Sequence, residues 1–454
     1  MGAQKTPVWL VGGAPRDWAL EKSAPDFDLV APRGESLPLG ERLAAELGGR
    51  FVLLHEDFGA CRIVLADGGW LDLTDLQGAS IEEDLRRRDL TINALALPWP
   101  AADSLLDPTG GLADLADKIA RRPSPGCLLA DPVRVLRVYR FAAELDLRIE
   151  APTEDEIHAA VSRLPDMPGE RVWEELRRIL AVESAAPWIE RLAQTRILDA
   201  LLPPLAASAG CAQPSFHHLD VRDHCLEAAK QSDALIADRL YAPALADPDN
   251  RALLRLAALL HDAGKPATAA PNHDGDLRFH GHTAKSAELA AAVADRLRLS
   301  NQLRRRLTRL VDAHMRPHQL AELLAQNRLT PRSVHKFFKD LQGDWLLCLS
   351  LSRADLRATA GPDAPRDGDR QAQLLAEHFT RIAAERRSAA GDAALLRGED
   401  ILALGVAPGP RIGEILEAIS QARFENPRLT RPEALALAAK LAAGESLSSG
   451  QEEP

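Results

Sequence analysis

No Cys-x-x-Cys pair occurs in this sequence, and its five cysteines, Cys61, Cys127, Cys211, Cys225 and Cys348, are scattered. That argues against a zinc ribbon and a disulfide framework and assigns the thiols to the core. No apolar stretch approaches the length of a membrane span, so no membrane partner is expected. Met1 to Gln4 lead straight into strand-like Pro7 to Val11, leaving no room for a signal peptide, and the expected location is the cytoplasm. Positive charge is also short: 55 Lys and Arg stand against 66 Asp and Glu, a net charge of −11. Phosphate contacts need Lys and Arg, so broad nonspecific nucleic-acid binding is disfavoured and any polynucleotide partner must be gripped by local basic patches. Internal repeats and long low-complexity tracts are lacking. What is present is an ordinary globular composition, 46% hydrophobic and 27% charged, in a chain of 454 residues. That length suits about three domains, each with its own core.

The most informative segment is Val11-Gly-Gly-Ala-Pro-Arg-Asp17 followed by Pro25-Asp-Phe-Asp-Leu-Val30. Alternate residues of a strand share a face, so Asp26 and Asp28 point to one side while Phe27 and Leu29 point to the core. Two carboxylates held that close repel one another and lose solvation, which a divalent cation between them would relieve; Mg²⁺ is the natural guest. The Gly12-Gly13 turn brings backbone N–H groups near a phosphate, and Arg16 adds a charged fork. Together these make half of a triphosphate site. Short apolar runs at Arg62 to Leu65 and Trp70 to Leu73 alternate with a helical stretch at Leu39 to Leu47, which reads as a small α/β unit up to Leu97. In Trp70-Leu-Asp-Leu73 the leucines face the core and Asp72 the opposite side. It is either a third carboxylate for two-metal phosphoryl transfer or a strand-end aspartate facing water.

After Arg122-Pro-Ser-Pro-Gly126 strand signals nearly vanish, and Ala- and Leu-rich helices follow. Asp131 stands where an N-cap belongs and Pro132 where the first helical residue belongs, so a helix is expected to start there. Arg134, Arg137 and Arg140 recur along one face, while Val135, Leu136 and Val138 cover the other. A carboxylate acceptor beside a guanidinium donor fits the pairing edge of cytosine or adenine. Guanine and uracil present the reverse order and would leave buried groups unpaired, at about 1–3 kcal/mol per group. Such a protein surface chooses C and A without a nucleic-acid template. The triplet Arg86 to Arg88 sets a basic cluster against an apolar segment that can carry it into a pocket.

In these motifs the chain resembles the class II tRNA nucleotidyltransferases and poly(A) polymerases, especially bacterial CCA-adding enzymes with an HD domain. The resemblance runs from Gly12–Asp17 through Asp26-Phe-Asp28, Arg87-Arg-Asp-Leu-Thr-Ile-Asn-Ala94, Asp107-Pro-Thr-Gly-Gly111, the segment 131–141 and Glu170-Arg-Val-Trp-Glu-Glu-Leu176. It implies that Asp26 and Asp28 ligate metal and that Gly12, Gly13, Arg16, Arg88, Asp89, Asn93, Arg137 and Arg140 form the nucleotide site. Asp131 and Arg134 match the base-selecting pair. The sequence departs from the family at Ala130, where Glu is usual, and at Pro15, where Val is usual. Only Leu76 to Leu85 separate the Asp72 strand from the arginine cluster, where CCA-adding members usually carry a longer flexible loop; a shortened one is a mark of the CC-adding branch.

Nine of the 13 histidines, His217, His218, His224, His261, His273, His280, His282, His314 and His318, crowd one stretch. Leu253 to Leu260 is an apolar helical run ending in His261-Asp-Ala-Gly-Lys-Pro266, where Gly and Pro stop the helix. This stretch resembles the HD metal-dependent phosphohydrolases, with His224, His261, Asp262 and Asp355 at the ligand positions and His282 and His314 as holders of a second metal. Imidazole plus carboxylate suits Ni²⁺ or Mn²⁺, with a bound water as nucleophile on a phosphoester. His273 and His335 are expected at the surface. Gly361 to Gly368 reads as a linker, and the pieces 396–402 and 409–416 resemble the family's tail. There, N–H groups at Gly409 to Ile412 with Arg411 either hold an RNA phosphate or belong to a plain helical hairpin. Gly444 to Pro454 is expected to fray.

The expected architecture is an α/β head with a small mixed sheet (1–123), an all-α neck carrying the base-selecting helix (124–205), an HD body (206–360) and a helical, RNA-binding tail (361–454). The expected activity is addition of C and/or A to tRNA 3′ ends from CTP and ATP. A CC-adding enzyme, a poly(A) polymerase and a metal phosphohydrolase with a nucleotide-sensing head stand as alternatives. The sequence does not fix the oligomeric state.

Overall fold

Alternating apolar residues in short runs and longer 3.6-residue periods divide this chain into a strand-rich beginning and a helical remainder. The computed structural model describes residues 7–24, 26–99, 104–214, 218–271, 273, 277–359, 367–389, 395–426 and 428–443. His217, most of the 361–368 linker and the 444–454 tail lie outside them. The chain forms two compact units, Met1–Ala206 with Ala294–Leu299, and Ala207–Val293 with Ser300–Pro454. Among the described residues no helix is long and apolar enough to cross a membrane.

The first unit is built on a mixed sheet of strands β1 (Val8–Val11), β2 (Phe27–Ala31), β3 (Arg50–His55), β4 (Ala60–Val64), β5 (Trp70–Asp75) and β6 (Ala96–Trp99), in the order β3-β4-β5-β2-β1-β6. Only β2 and β5 run parallel, and their register sets Asp28 beside Asp72 and Leu29 beside Leu73. One face packs Leu29, Leu71, Leu73, Cys61 and Ile63 against the helix Ser36–Leu47. The other packs Val11, Val30 and Ala96 against Ile81 and Leu85, and on this side the pleat places Asp28 and Asp72. The alternation expected at Trp70 to Leu73 is therefore present, with Leu73 fully buried. Phe27 is half-buried, its ring 6.2 Å from that of Trp18.

The helices 133–145 and 169–181 follow in the same unit. Strand pairing does not end entirely at Gly126: Arg148–Ile149 pairs in parallel with Ile119–Ala120, and Ala270–Pro271 pairs antiparallel with Leu277–Arg278, ladders too short to leave an alternating pattern. In the second unit the apolar helix Pro248–Leu260 is buried on nearly every side, among the helices 221–231, 301–313 and 345–358. The helices 398–403, 410–425 and 431–442 close on Ile401, Ile415, Ile419 and Ala434. Four cysteines are buried as expected, whereas Cys211 is partly exposed.

Candidate active site and metal centre

In the first unit, Gly12 holds φ 76°, and a Cβ there would stand 3.2 Å from Asp28 Oδ2 and 3.3 Å from Arg88 Nη1. A left-handed backbone in such close quarters is a glycine position, and it brings the Gly-Gly turn, the β2 carboxylate and the arginine cluster together. Asp26, just ahead of β2, and Asp28 are both exposed to solvent. Asp28 has protein on most sides: this burial raises its carboxyl above the ordinary carboxylate value, Asp72 and Asp26 add to the rise, and Arg88 and Arg137 oppose it. Asp28 and Asp72, in register on one side of the sheet, with Asp26 near enough to act on Asp28, form an oxygen donor set that suits a hard divalent cation. Asp72 is held by Arg62, whose Nε and Nη2 donate to its two oxygens at 2.7 and 2.8 Å. Sequence reasoning missed Arg62 because its contact depends on the β4–β5 register, which sets it opposite Asp72.

Arg16, Arg137 and Arg140 are linked by one chain of hydrogen bonds and ion pairs. Arg16 Nη1 donates to Asn93 Oδ1 at 2.6 Å, the Asn93 amide donates to both Asp89 oxygens, and Arg137 Nε donates to Asp89 Oδ2 at 2.7 Å. Glu175 then accepts from Arg137 Nη1 at 3.1 Å and Arg140 Nε at 2.5 Å. Burial acts to raise the Asp89 pKa, but the Arg137 charge and hydrogen bond, with Asn93 and the Leu90 N–H, outweigh it and hold the pKa at about 2. Arg140, 3% exposed, lies behind Arg137 and over the Phe141 ring.

A cavity of about 250 Å³ is lined by Arg88, Asp89, Asp131, Arg134, Arg137 and Arg171. A second, of about 360 Å³, shares Arg88 and Arg134 and reaches Phe58 and Gln77. The expected cap at Asp131 shifts by one residue: Pro132 takes the N-cap place, the helix runs Val133–Leu145, and no side chain caps it. The Asp131 carboxylate instead accepts from Arg171 Nη2 at 2.7 Å, with Arg134 Nε 3.8 Å away. Arg134 Nη1 donates to the carbonyls of Arg87 and Cys127 at 2.6 and 3.1 Å, which orients its fork. Arg171 and Glu175 were missed as site residues, although both lie in the Glu170–Leu176 motif; their role shows only once that helix packs on the arginine helix.

The second unit gathers His224, His261, Asp262, Asp355 and His314, all buried, with His282 half-buried. His224 Nε2 lies 2.9 Å from Asp355 Oδ1 and 3.3 Å from His261 Nε2, and His261 Nε2 lies 3.4 Å from Asp262 Oδ2. His282 and His314 Nε2 stand 3.4 and 3.6 Å from Asp262 Oδ1. Nδ1 of His261, His282 and His314 each faces a backbone carbonyl at 2.7–2.9 Å, which leaves Nε2 of each as the lone-pair nitrogen. Among the described residues, His224-His261-Asp355 and His261-Asp262-His314 are the two donor sets that close to within 4.8 Å. Asp262 Oδ1, His282 Nε2 and His314 Nε2 are buried with no hydrogen-bond partner. Burial, then the charge of His261, holds His314 at a pKa of about 3, and burial lowers His282. Neutral imidazoles aimed at an unsatisfied carboxylate oxygen fit a metal. Lys265, from the His-Asp-Ala-Gly-Lys run itself, pairs with Asp262 Oδ2 at 2.5 Å, and His318 Nε2 lies 3.1 Å from Asp355 Oδ2.

His273 is exposed, but His335 is buried: its helix face packs inward, with His335 Nε2 3.1 Å from Ser420 Oγ and its ring 5.1 Å from Phe424. Arg411 is engaged with Glu414 at 2.9 Å and the Leu441 carbonyl at 2.8 Å.

These centres define an α/β phosphoryl-transfer head joined to a helical metal-binding unit. In sequence, residues 8–121 match the poly A polymerase head domain, 146–208 the probable RNA and SrmB-binding site of polymerase A, and 221–359 the HD domain. The chain is 38% identical over 421 residues to an A-adding tRNA nucleotidyltransferase of Deinococcus radiodurans, covering 91% of each. It is 33% identical over 436 residues to a CC-adding tRNA nucleotidyltransferase of Geobacter sulfurreducens, covering 95% of this chain and 91% of that one. Its fold is similar to that of the Thermotoga maritima CCA-adding enzyme solved with tRNA, with a TM-score of 0.61 at 24% identity over 97% of this chain and 92% of that one. The chain belongs to the tRNA nucleotidyltransferase and poly(A) polymerase family, an enzyme family. Its head and HD domains both imply the use of divalent metals.

Proposed function

We propose that this chain adds C and/or A to the 3′ end of tRNA in the cytoplasm, taking CTP and ATP as donors. The observation that carries the reading is the in-register pair Asp28 and Asp72 beside Gly12 and Arg88. Asp26 and Asp28, joined by Asp72, would hold Mg²⁺, which when bound activates the RNA 3′-hydroxyl and neutralises triphosphate charge. The Gly12-Gly13 turn and Arg16, Arg88 and Arg137 place the triphosphate, with Asp89, Asn93, Glu175 and Arg140 fixing the arginines behind it. The 3′-hydroxyl attacks the α-phosphorus, an O–P bond forms, and pyrophosphate leaves. Asp131 as acceptor and Arg134 as donor read the base edge. We take the domains as head 1–123, neck 124–205, HD body 206–360 and tail 361–454.

One observation favours a second reading, arrest after the second C. Between β5 and the helix Ile81–Arg86 only Leu76 to Ser80 intervene. That connection is pinned by Gln77 N to Asp84 Oδ1 at 3.0 Å and Ala79 N to Glu83 Oε2 at 2.8 Å. A short, pinned connection has no slack with which to reshape the base pocket between C and A. Giving the protein tRNA transcripts ending before C, after C and after CC, with CTP and ATP together, and sequencing the ends decides between the two. Completed CCA supports the first reading, arrest at CC the second, runs of A a poly(A) polymerase, and no addition refutes both. In the HD unit, His224, His261, Asp262 and Asp355, with His282 and His314 on a second ion, would hold Ni²⁺ or Mn²⁺ for phosphoester hydrolysis. Protein loaded with either metal that cleaves neither a phosphomonoester nor a cyclic phosphodiester refutes that part.

A further inference from the structure

The second unit carries a basic groove that neither centre uses. The helix Asn301–Ala313 contributes Arg305, Arg306 and Arg309 to a cavity of about 620 Å³ whose remaining lining includes Gln342, Gly343 and Asp344. Asp344 is the cavity's single carboxylate: Arg306 Nε and Nη2 donate to it at 3.0 and 2.8 Å, and Arg309 Nη2 at 3.3 Å. One buried carboxylate thus serves two guanidinium groups, while Arg305 stands exposed with no charged partner among the described residues. Arg309 Nε is buried without a hydrogen-bond acceptor. In a chain of net charge −11, a pocket with three arginines on one aspartate is a local excess that calls for an outside anion.

The groove does not end there. At Gln342, whose backbone is held at φ 51° and ψ −129°, it meets a second cavity of about 390 Å³ lined by Phe338, Lys339, Trp345 and Arg386. The Phe338 and Trp345 rings lie 4.9 Å apart and are half-buried, and Arg386 sits 4.3 Å over Phe424. Arg386 also faces Arg423, a second like charge. Gly343, at the junction, has open space where a Cβ would stand. Guanidinium groups lining one cavity and aromatic rings lining the next are the two parts of a single-strand nucleic-acid surface, the first taking phosphates and the second a base face. An acidic peptide would use the arginines but not the aromatic rings.

We propose that this groove, running from Arg305 to Arg386 through Gln342, binds a single-stranded stretch of the tRNA substrate by its phosphates and one stacked base. The proposal rests on tRNA being the substrate, and it names a surface apart from residues 146–208 and from the 409–412 turn.

The test measures tRNA binding by fluorescence anisotropy across salt for the full-length protein, Arg305→Ala, Arg386→Ala, Trp345→Leu and the control Arg42→Ala, an exposed arginine on the helix Ser36–Leu47, with labelled-CTP incorporation in the same samples. Arg305→Ala and Arg386→Ala should each weaken tRNA binding several-fold and lower the slope of log affinity against log salt by about one. Trp345→Leu should weaken binding about tenfold at unchanged slope, and Arg42→Ala should match the parent. KM for tRNA should rise with KM for CTP unchanged. Parent-like affinity and slope in both arginine variants, with the parent incorporating CTP, overturns the groove alone. Displacement of labelled polyglutamate in place of tRNA would assign the groove to acidic protein and overturn it too. Parent protein that neither binds tRNA nor incorporates CTP overturns the substrate reading together with the groove.

Discussion

Asp28 shows how a single position joins fold to chemistry. It sits on the sheet face shared with Val30, so the pleat that buries the valine also aims the carboxylate. Asp28→Ala leaves that packing intact and removes the central donor; nucleotide addition should fall by about 10²–10³-fold or more, with HD hydrolysis unchanged in the same preparation. Asp89 gives the pH dependence. Its folded pKa, about 2, lies below the ordinary aspartate value of 3.8, so it contributes stability above that value, and this is lost as pH falls through about 2. Thermal unfolding followed from pH 5 to pH 2 should show a drop between about 4 and 2 that Asp89→Asn makes smaller, because the asparagine has no proton to gain while Glu156 and Asp369, whose carboxyls are also held low, still gain theirs. Glu175 carries Arg137 and Arg140 together, so Glu175→Ala takes one of two carboxylates from each guanidinium, leaving Asp89 on Arg137 and Glu144 on Arg140. Denaturant unfolding of the first unit should show a loss of about 1–3 kcal/mol.

At the scale of elements, the short helix Cys127–Ala130 that leads into Asp131 depends on one distant side chain. Glu156 accepts from the N–H groups of Gly126, Leu128 and Leu129 at 3.0, 2.7 and 3.3 Å and pairs with Arg122. Glu156→Ala strands those donors, and unfolding measurements should show a cost of about 2–4 kcal/mol with weaker discrimination of C from U. Much of this level was readable from the sequence. The strand alternation at Asp26–Leu29 and Trp70–Leu73 and the helix stop at His261–Pro266 follow from local periodicity and from Gly and Pro. The Asp131 cap was displaced because its carboxylate is drawn to Arg171, forty residues away in sequence and beyond any local pattern. His335 is buried for a similar reason: Ser420 and Phe424 reach it from another helix. The Arg62–Asp72 pair needed the strand register, and Glu175 needed helix packing.

The molecule as a whole comprises two units, each with its own centre, and this gives metal removal a selective signature. An ion bound only by the folded HD unit raises that unit's stability by about 2.7 kcal/mol at a hundredfold excess over Kd. With Mg²⁺ kept in excess for the head, a chelator selective for transition metals should therefore lower one thermal transition and spare the other, and Asp262→Ala should remove the difference. The acidic balance of the chain also makes tRNA recognition a matter of patches, so tRNA affinity should fall steeply with added salt while the KM for CTP changes little.

The most direct test of the central claim is incorporation of α-labelled CTP into a tRNA transcript lacking its 3′ C-C-A, with and without magnesium, by the parent chain and by Asp28→Ala. Magnesium-dependent extension with release of pyrophosphate by the parent, and none above background by the variant, is the expected result. Extension of the transcript by the Asp28 variant at the parent's rate would contradict the assignment of the sheet carboxylates as the catalytic metal site.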